Sequence, residues 1–377
     1  MKKILIVGGG FTGIMVMEKL ARHLGECDVT LIDKKKTFDF LPSLPDIIGE
    51  RIHASYLDYD LKTTAGKHGC SFLHDEVTSV NLNKKMIKTL SRALDYDYLV
   101  IASGAENDFH GNEQGRKHSY PLYSVEDGKK ILRQLQTHPR QTYVIIGGGY
   151  TGIEIATNIW RYFRKRAQRK RIVLVEIAPV LLGFLPNKLR VFVRKNLERM
   201  GIELRLGVTL DHLGPETLRL KNGEEFNDAM ILWSTGVKTG DFVQALDVSK
   251  NRQGRVNVGP DLRLNESCFV LGDAANVKFK DGYLRMAVQF TLSEGICAAG
   301  NIIRSIRGQP LKTYDPIGDL GYVIPMANNR SAGSLLGHNV TGRIPSSLHY
   351  FMCVFRSYGL HNRLGMIRNI LTRSPLR

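Results

Sequence analysis

The chain has 377 residues, 43% of them hydrophobic, and a formal net charge of +17. The length suits one very large domain or two to three ordinary ones with proper cores, and the charge points to polyanions as partners: nucleic acid, anionic lipid or a phosphate-rich cofactor. Five cysteines, at 27, 70, 268, 297 and 353, form no CxxC and no close pair, which argues against a metal knuckle or a disulfide framework and fits a reducing compartment.

The first predicted element is a strand that begins almost at Met1, leaving no room for a secretory signal. "ILIVGGG", Ile4–Gly10, is a continuous apolar run ending in glycine, as suits a strand buried on both faces of a parallel sheet. Gly8, Gly10 and Gly13 give the spacing GxGxxG. "IMVMEKLARHL" follows with helical periodicity, and "DVTLID", Asp28–Asp33, is a second strand ending in an acid. Strand, tight turn, helix, strand and acid in this order predict a dinucleotide site. Gly8 makes the turn, Gly10 lets backbone approach a pyrophosphate, and Gly13 lets the helix pack on the strand. The helix N-terminus faces the phosphates, and Asp33 accepts hydrogen bonds from a ribose diol.

Next come "KTFDFLPSLPDIIGE", Lys36–Glu50, which holds no cysteine, and "LDYDYLVIASGA", Leu94–Ala105, a strand with a small-residue turn. "GNEQGRKHSYPLYS", Gly111–Ser124, reads as a polar crossover into an inserted domain, where the first design recurs. "YVIIGGG" is the strand, Gly147, Gly149 and Gly152 the fingerprint, "IEIATNIWRYFRKR" the helix, and "RIVLVE", Arg171–Glu176, the next strand with its acid. Glu176 favours a free ribose 2′-hydroxyl, because a 2′-phosphate would meet a like charge. No arginine follows at once, so NAD is preferred over NADP. Two dinucleotide sites in one chain imply electron traffic between them, with FAD on one turn and NADH on the other.

The cluster "RYFRKRAQRKR", Arg161–Arg171, has the cations and aromatics of a nucleic-acid patch, but is read as the solvated end of the second helix and its turn. No nucleic-acid partner and no metal are expected. "FNDAMILWSTGV", Phe226–Val237, repeats the strand and turn of Leu94–Ala105; "NRQGRVNVGP", Asn251–Pro260, leads back out of the inserted domain; and "NESCFVLGDAANV", Asn265–Val277, closes the series.

In the tail, Leu348, Phe351, Met352, Phe355, Leu360, Leu364, Ile367, Ile370 and Leu371 recur at helical spacing beside Arg356, Arg363, Arg368, Arg373 and Arg377, with no acid from Ser346 onward. An apolar face beside a basic face suits an interfacial helix on anionic lipid, and Gly359 and Gly365 are expected to break it. No apolar run reaches the roughly 18–20 residues that span a bilayer.

These stretches resemble the two-dinucleotide-binding flavoproteins. Disulfide reductases of that superfamily carry a redox cysteine pair soon after the first ribose acid. Lys36–Glu50 instead resembles the "F-x-F-x-P-x-L-P" segment of type II NADH dehydrogenases, the single-chain NADH:quinone oxidoreductases. "GGGYTGIEIA", "LVEIAPVLLGFLP", "WSTGV", "VLGDAA" and "YDPIGDLGYVIPMANNRSAGSLLGHNVTGRI" share the likeness. Sulfide:quinone reductases share the plan but need cysteines near the flavin; Cys268 and Cys297 are expected to be buried core thiols.

The resemblance implies an α/β fold of two Rossmann-like dinucleotide-binding domains with a C-terminal, membrane-associating helical region. The FAD domain would be 1–112 and 253–313, the NAD domain 113–252, and the acceptor and membrane-docking region 314–377. Toward FAD it implies Gly8, Gly10, Phe11, Thr12 and Gly13, then Asp33, Lys34 and Val77. It adds Ala102, Ser103 and Gly104, then Gly272, Asp273 (the ribityl ligand), Ala274 and Gln289. Toward NADH it implies Gly147, Gly149, Tyr150, Thr151, Gly152, Glu176 and Gly236. Glu154, just past the second fingerprint, would serve acceptor reduction, the alternative being a carboxylate stabilised by its own helix dipole. Glu294 is a second candidate acid, though a solvated helix position is the favoured reading.

The family's quinone helix carries A-Q-x-A-x-Q, and here the aligned residues are Val288, Gln289, Thr291 and Ser293. The expected function is an FAD-dependent, non-proton-pumping NADH:quinone oxidoreductase, peripheral on the cytoplasmic side of the membrane. The alternatives are a soluble NADH-dependent reductase of a small protein carrier and a flavin-bound redox sensor. A homodimer is left open.

Overall fold

The computed structural model describes residues 1–316 and 318–373. The elements that position the sites are, in chain order, β1 (Lys2–Val7), α1 (Phe11–Leu20), β2 (Cys27–Asp33), α2 (Leu44–Ile48), β3 (Ser71–His74), β4 (Tyr98–Ile101), β5 (Tyr120–Pro121), α3 (Val125–Thr137), β6 (Thr142–Ile146), α4 (Tyr150–Arg164), β7 (Arg171–Glu176), α5 (Asn187–Arg199), β8 (Ile202–Leu206) and β9 (Ala229–Trp233). Then come β10 (Arg263–Asn265), β11 (Cys268–Val270), α6 (Val288–Ile306), β12 (Gly321–Met326), β13 (Arg330–Leu335), β14 (His338–Gly342), α7 (Arg343–Arg356) and α8 (Leu360–Arg373). They fall into two compact units: Met1–Phe38, Tyr59–Glu106 and Val237–Gly318 in one, Asp39–Asp58, Asn107–Gly236 and Asp319–Arg377 in the other.

The first unit holds a six-stranded sheet in the order β10-β11-β4-β1-β2-β3. Every pair is parallel except the edge pair β10–β11, which is antiparallel. The buried run Ile4–Val7 explains why β1 is central: a strand with apolar residues on both faces needs cover on both. Helices α1 and α6 pack against each other in this unit.

The second unit repeats the plan with a five-stranded, all-parallel sheet, β5-β9-β6-β7-β8. All five residues of β9, Ala229–Trp233, are buried. Val144, Ile146, Val173, Val175, Ile231 and Trp233 share one apolar core, and the Trp233 indole N–H donates to the Asp108 carbonyl at 2.9 Å. The unit also holds an antiparallel sheet β12-β13-β14, against which α7 packs. Short α2 packs on α3 and α4. The α/β class with paired Rossmann-like sheets is as the sequence predicts.

In the tail, α7 stops at Arg356, and Gly359, with φ +80°, sits in the link to α8. Gly365 does not break the chain. It lies buried inside α8, where a Cβ would fall 2.3 Å from the Tyr56 ring, so close packing rather than helix breaking requires glycine there. No helix among the described residues is long and apolar enough to cross a membrane.

Candidate functional site

The two fingerprints fold as near-duplicates. Gly8 and Gly147 take φ of +107° and +108°, and a Cβ on either would fall 2.3 Å from a carbonyl oxygen of the neighbouring strand end, that of Ala102 or of Ser234. A Cβ on Gly13 would meet the Gly8 oxygen at 1.8 Å, and one on Gly152 the Gly147 oxygen at 1.9 Å. These glycines let helix and strand touch. Gly10 and Gly149 differ: a Cβ on either meets nothing within 4 Å, so each cradle is open above its second glycine. Both are helix N-caps without a side-chain hydrogen bond, so the first amides of α1 and α4 have no side-chain cap competing with a phosphate.

The acids close the turns. Asp33 accepts from the Gly9 amide at 2.6 Å and the Lys35 amide at 2.7 Å. Glu176 accepts from the Gly148 amide at 2.7 Å and the Ala178 amide at 2.8 Å. Each carboxylate oxygen keeps a lone pair for a ribose hydroxyl. Burial raises the Asp33 carboxyl above its ordinary value, while those amides and the neighbouring lysines pull it back.

The other residues expected around a flavin lie in the first unit. Phe11 is buried with its ring edge-on to Phe38, so it contributes backbone rather than an exposed ring. Thr12 is buried beside Gly272, where a Cβ would fall 2.6 Å from the Thr12 Oγ1. Lys34 is exposed and pairs with Glu76 and Glu106 at 3.7 and 3.9 Å. Val77 is buried at the start of a strand, and Gln289 is partly buried in the first turn of α6. After β4, Ala102 is buried and Ser103 has a buried hydroxyl with no partner among the described residues. Gly104 is open, with φ +66°. A buried orphan hydroxyl beside an open turn fits a ligand with polar atoms.

Gly272–Ala274 form a single 3-10 turn. Burial raises the Asp273 carboxyl, with Arg255 opposing. Glu294 departs from the favoured reading of a solvated position: it is 2% exposed and its Oε2 accepts from the Gly272 amide at 2.6 Å. Burial pushes this carboxyl up to about 8. The Glu294 carboxyl ties α6 to the turn that carries Asp273. Ser293, where the family motif has glutamine, has its hydroxyl 2.7 Å from that of Tyr314. Cys268 is fully buried as expected, whereas Cys297 is only partly buried.

In the second unit, Tyr150 stacks on Tyr322 with ring centroids 5.8 Å apart, and Thr151 is exposed at the start of α4. Gly236, with φ +134°, follows β9. Glu154 is partly buried in the first turns of α4, and burial plus the nearby Asp46 carboxyl hold it well above the usual carboxylate range.

Sequence reasoning missed what surrounds it. Arg161, expected in a solvated cluster, is 0% exposed; in that cluster Arg164–Arg169 and Arg171 are exposed. Its guanidinium donates to the carbonyls of Gly49, Ala327 and Arg373. Arg51 is equally buried, donates to the Ala327 carbonyl and the Asn329 Oδ1, and lies 3.8 Å from Asp46. The Tyr350 hydroxyl donates to Asp46 at 3.0 Å. One signal was available: Arg161 stands eight residues, two helical turns, beyond the buried Ile153 on the same face of α4.

Comparison with known proteins adds to this geometry. Residues 2–293 match the family described as pyridine nucleotide-disulphide oxidoreductase. A type II NADH:quinone oxidoreductase of Haemophilus influenzae is 25% identical over 97% of this chain and 96% of its own length. One from Staphylococcus haemolyticus is 22% identical over 91% and 92%. The fold matches NDH2 from Plasmodium falciparum, solved in complex with NADH, with a TM-score of 0.86 at 15% identity over 100% of this chain and 99% of that one. It also matches the sulfide:quinone oxidoreductase of Aquifex aeolicus, with a TM-score of 0.79 at 19% identity over 97% and 92%. The expected resemblance to type II NADH dehydrogenases is borne out by these relatives.

Proposed function

Since the chain belongs to the pyridine nucleotide-disulphide oxidoreductase family, we propose that it is an FAD-dependent NADH:quinone oxidoreductase. The observation that carries this is the pair of open, acid-closed glycine cradles on parallel sheets. The names of the relatives support the acceptor. No nearby cysteine pair replaces the quinone by a disulfide: all five cysteines are free thiols, and none lies between Lys36 and Glu50.

FAD, when bound, supplies a two-electron relay between a nicotinamide and a quinone. The first unit would hold it: the amides at the start of α1 would take the pyrophosphate, Asp33 the adenosine ribose, and Asp273 the ribityl chain. Phe11, Thr12, Lys34, Val77, Ser103 and Gln289 complete that site. In the second unit the amides of α4 face the NADH pyrophosphate and Glu176 the ribose diol. Glu154, protonated as its surroundings favour, acts at the acceptor.

The protein works at an anionic membrane surface, on its cytoplasmic side. The support is in α7 and α8, where Phe351, Phe355, Leu360, Leu364 and Leu371 are 56–73% exposed. Arg363 and Arg368 are exposed beside them, and neither helix holds an acid. Arg377 lies outside the described residues. Steady-state NADH oxidation tests the acceptor: turnover with a soluble quinone supports the reading, and turnover with an acidic carrier protein alone overturns it.

A further inference from the structure

Behind Glu154 the second unit builds a buried polar cluster from three distant segments. Asp46 comes from α2, Glu154 and Arg161 from α4, and Tyr350 and Cys353 from α7, with Arg51 following α2. Helix α2 packs on α4, and Gly49 at its end sits so close that a Cβ would fall 2.3 Å from the Asn158 Oδ1 and 3.0 Å from the Arg161 Cδ. Asp46 and Glu154 repel each other electrostatically, and the Cys353 thiol feels both.

The two carboxyls are not treated alike. Burial raises the Asp46 carboxyl above its ordinary value, and it is opposed by the Arg51 guanidinium at 3.8 Å, the Tyr350 hydroxyl at 3.0 Å and the positive potential of Arg161. Arg51 also lies 4.6 Å over the Tyr350 ring, which fixes both partners. Glu154 has no cation and no donor to its carboxyl among the described residues; its neighbour is Asp46. Where two acids on packed helices repel each other, the member with compensating partners ionises first and the other tends to keep its proton. Burial and the cations Arg51 and Arg356 hold His349 down to about 4, so it stays neutral, while burial pushes the Cys353 thiol up to about 12 and holds the Tyr350 hydroxyl well above its ordinary value. None of these competes for the charge.

We infer that Asp46, hydrogen-bonded by Tyr350 and paired with Arg51, is a positioning residue that keeps the proton on Glu154. This deepens the function proposed above and rests on it. The overall reaction is NADH + H⁺ + quinone → NAD⁺ + quinol: the hydride supplies two electrons and one proton, and one more proton is required. Glu154 gives that proton to a quinone oxygen, is left as a carboxylate facing Asp46, and takes a proton from water because the repulsion favours return to the neutral form.

The test uses the full-length, flavin-loaded protein and infrared spectra recorded in steps of pH. A protonated-carboxyl band present at neutral pH and absent from Glu154→Gln is assigned to Glu154. In Asp46→Asn its titration midpoint is expected to fall by about one pH unit or more. Tyr350→Phe, which leaves Arg51 its partner and so guards against a folding failure, moves the midpoint the same way by less. Asp46→Glu restores it. A band missing at neutral pH, or a midpoint unmoved in both variants, overturns the inference. Failure of any quinone to reoxidise the reduced wild type is a different result: it removes the acceptor reading and leaves the band as it was.

Discussion

Glu176 accepts the Gly148 amide at 2.7 Å, so the residue proposed to choose the nicotinamide cofactor also closes the second glycine turn. Glu176→Gln keeps an acceptor for that amide but removes the charge a 2′-phosphate would meet. The NADPH-to-NADH ratio of kcat/KM is expected to rise roughly ten-fold, about 1.4 kcal/mol of discrimination, with little loss of stability. Parallel steady-state assays with both cofactors check this; an unchanged ratio would place the ribose elsewhere.

The open space over Gly10 and Gly149 separates the two cradles experimentally. Neither has positive φ, and an added methyl meets no protein atom, so Gly10→Ala and Gly149→Ala are expected to fold with stability within about 1 kcal/mol of the parent. Gly10→Ala should emerge with its flavin lost or weakly held. Gly149→Ala should stay yellow and raise the KM for NADH at least several-fold. Absorbance at purification and the NADH dependence of flavin reduction read the two effects.

The buried Glu294 makes stability depend on pH. Its carboxyl keeps the proton up to about 8 in the folded chain but ionises near the ordinary 4.5 when unfolded. The folded state therefore binds the extra proton between those values, and this contribution to stability falls as pH rises from 4.5 to about 8. Glu294→Gln, which still accepts the Gly272 amide, should match the parent near about pH 5 and melt higher than it above about pH 8. Thermal unfolding across that range measures it. A constant difference between the two proteins would contradict the assignment.

Phe351 and Phe355 of α7 are 63% and 64% exposed, with ring centroids 6.5 Å apart. Burying a phenylalanine in an apolar phase is worth about 2 kcal/mol, so serine at either position should weaken binding to anionic vesicles roughly ten-fold or more. Sedimentation with vesicles reads this. High salt should reduce binding by screening Arg363 and Arg368 without removing the apolar part.

Both cradles were legible because each is local: three glycines, a strand and an acid encode the turn within about 30 residues. What was not legible is assembled from afar. Asp46, Arg161 and Tyr350 are separated by more than a hundred residues each, and no spacing rule joins them; Arg161 looked solvated because its chain neighbours are. Glu294 looked solvated for a related reason, since the amide that buries its carboxyl belongs to Gly272, 22 residues upstream. Gly365 was misjudged because helix propensity is a weak guide where a partner ring presses on the backbone, as Tyr56 does here.

The central claim is that two cofactors in one chain carry electrons from NADH to a quinone. Anaerobic titration of the purified, yellow protein with NADH, followed by a menaquinone or ubiquinone analogue, tests it most directly. The account predicts that one equivalent of NADH bleaches the flavin and that the quinone restores its colour with NAD⁺ already formed. A preparation that stays colourless when FAD is supplied, or a bleached flavin that no quinone recolours, would contradict it.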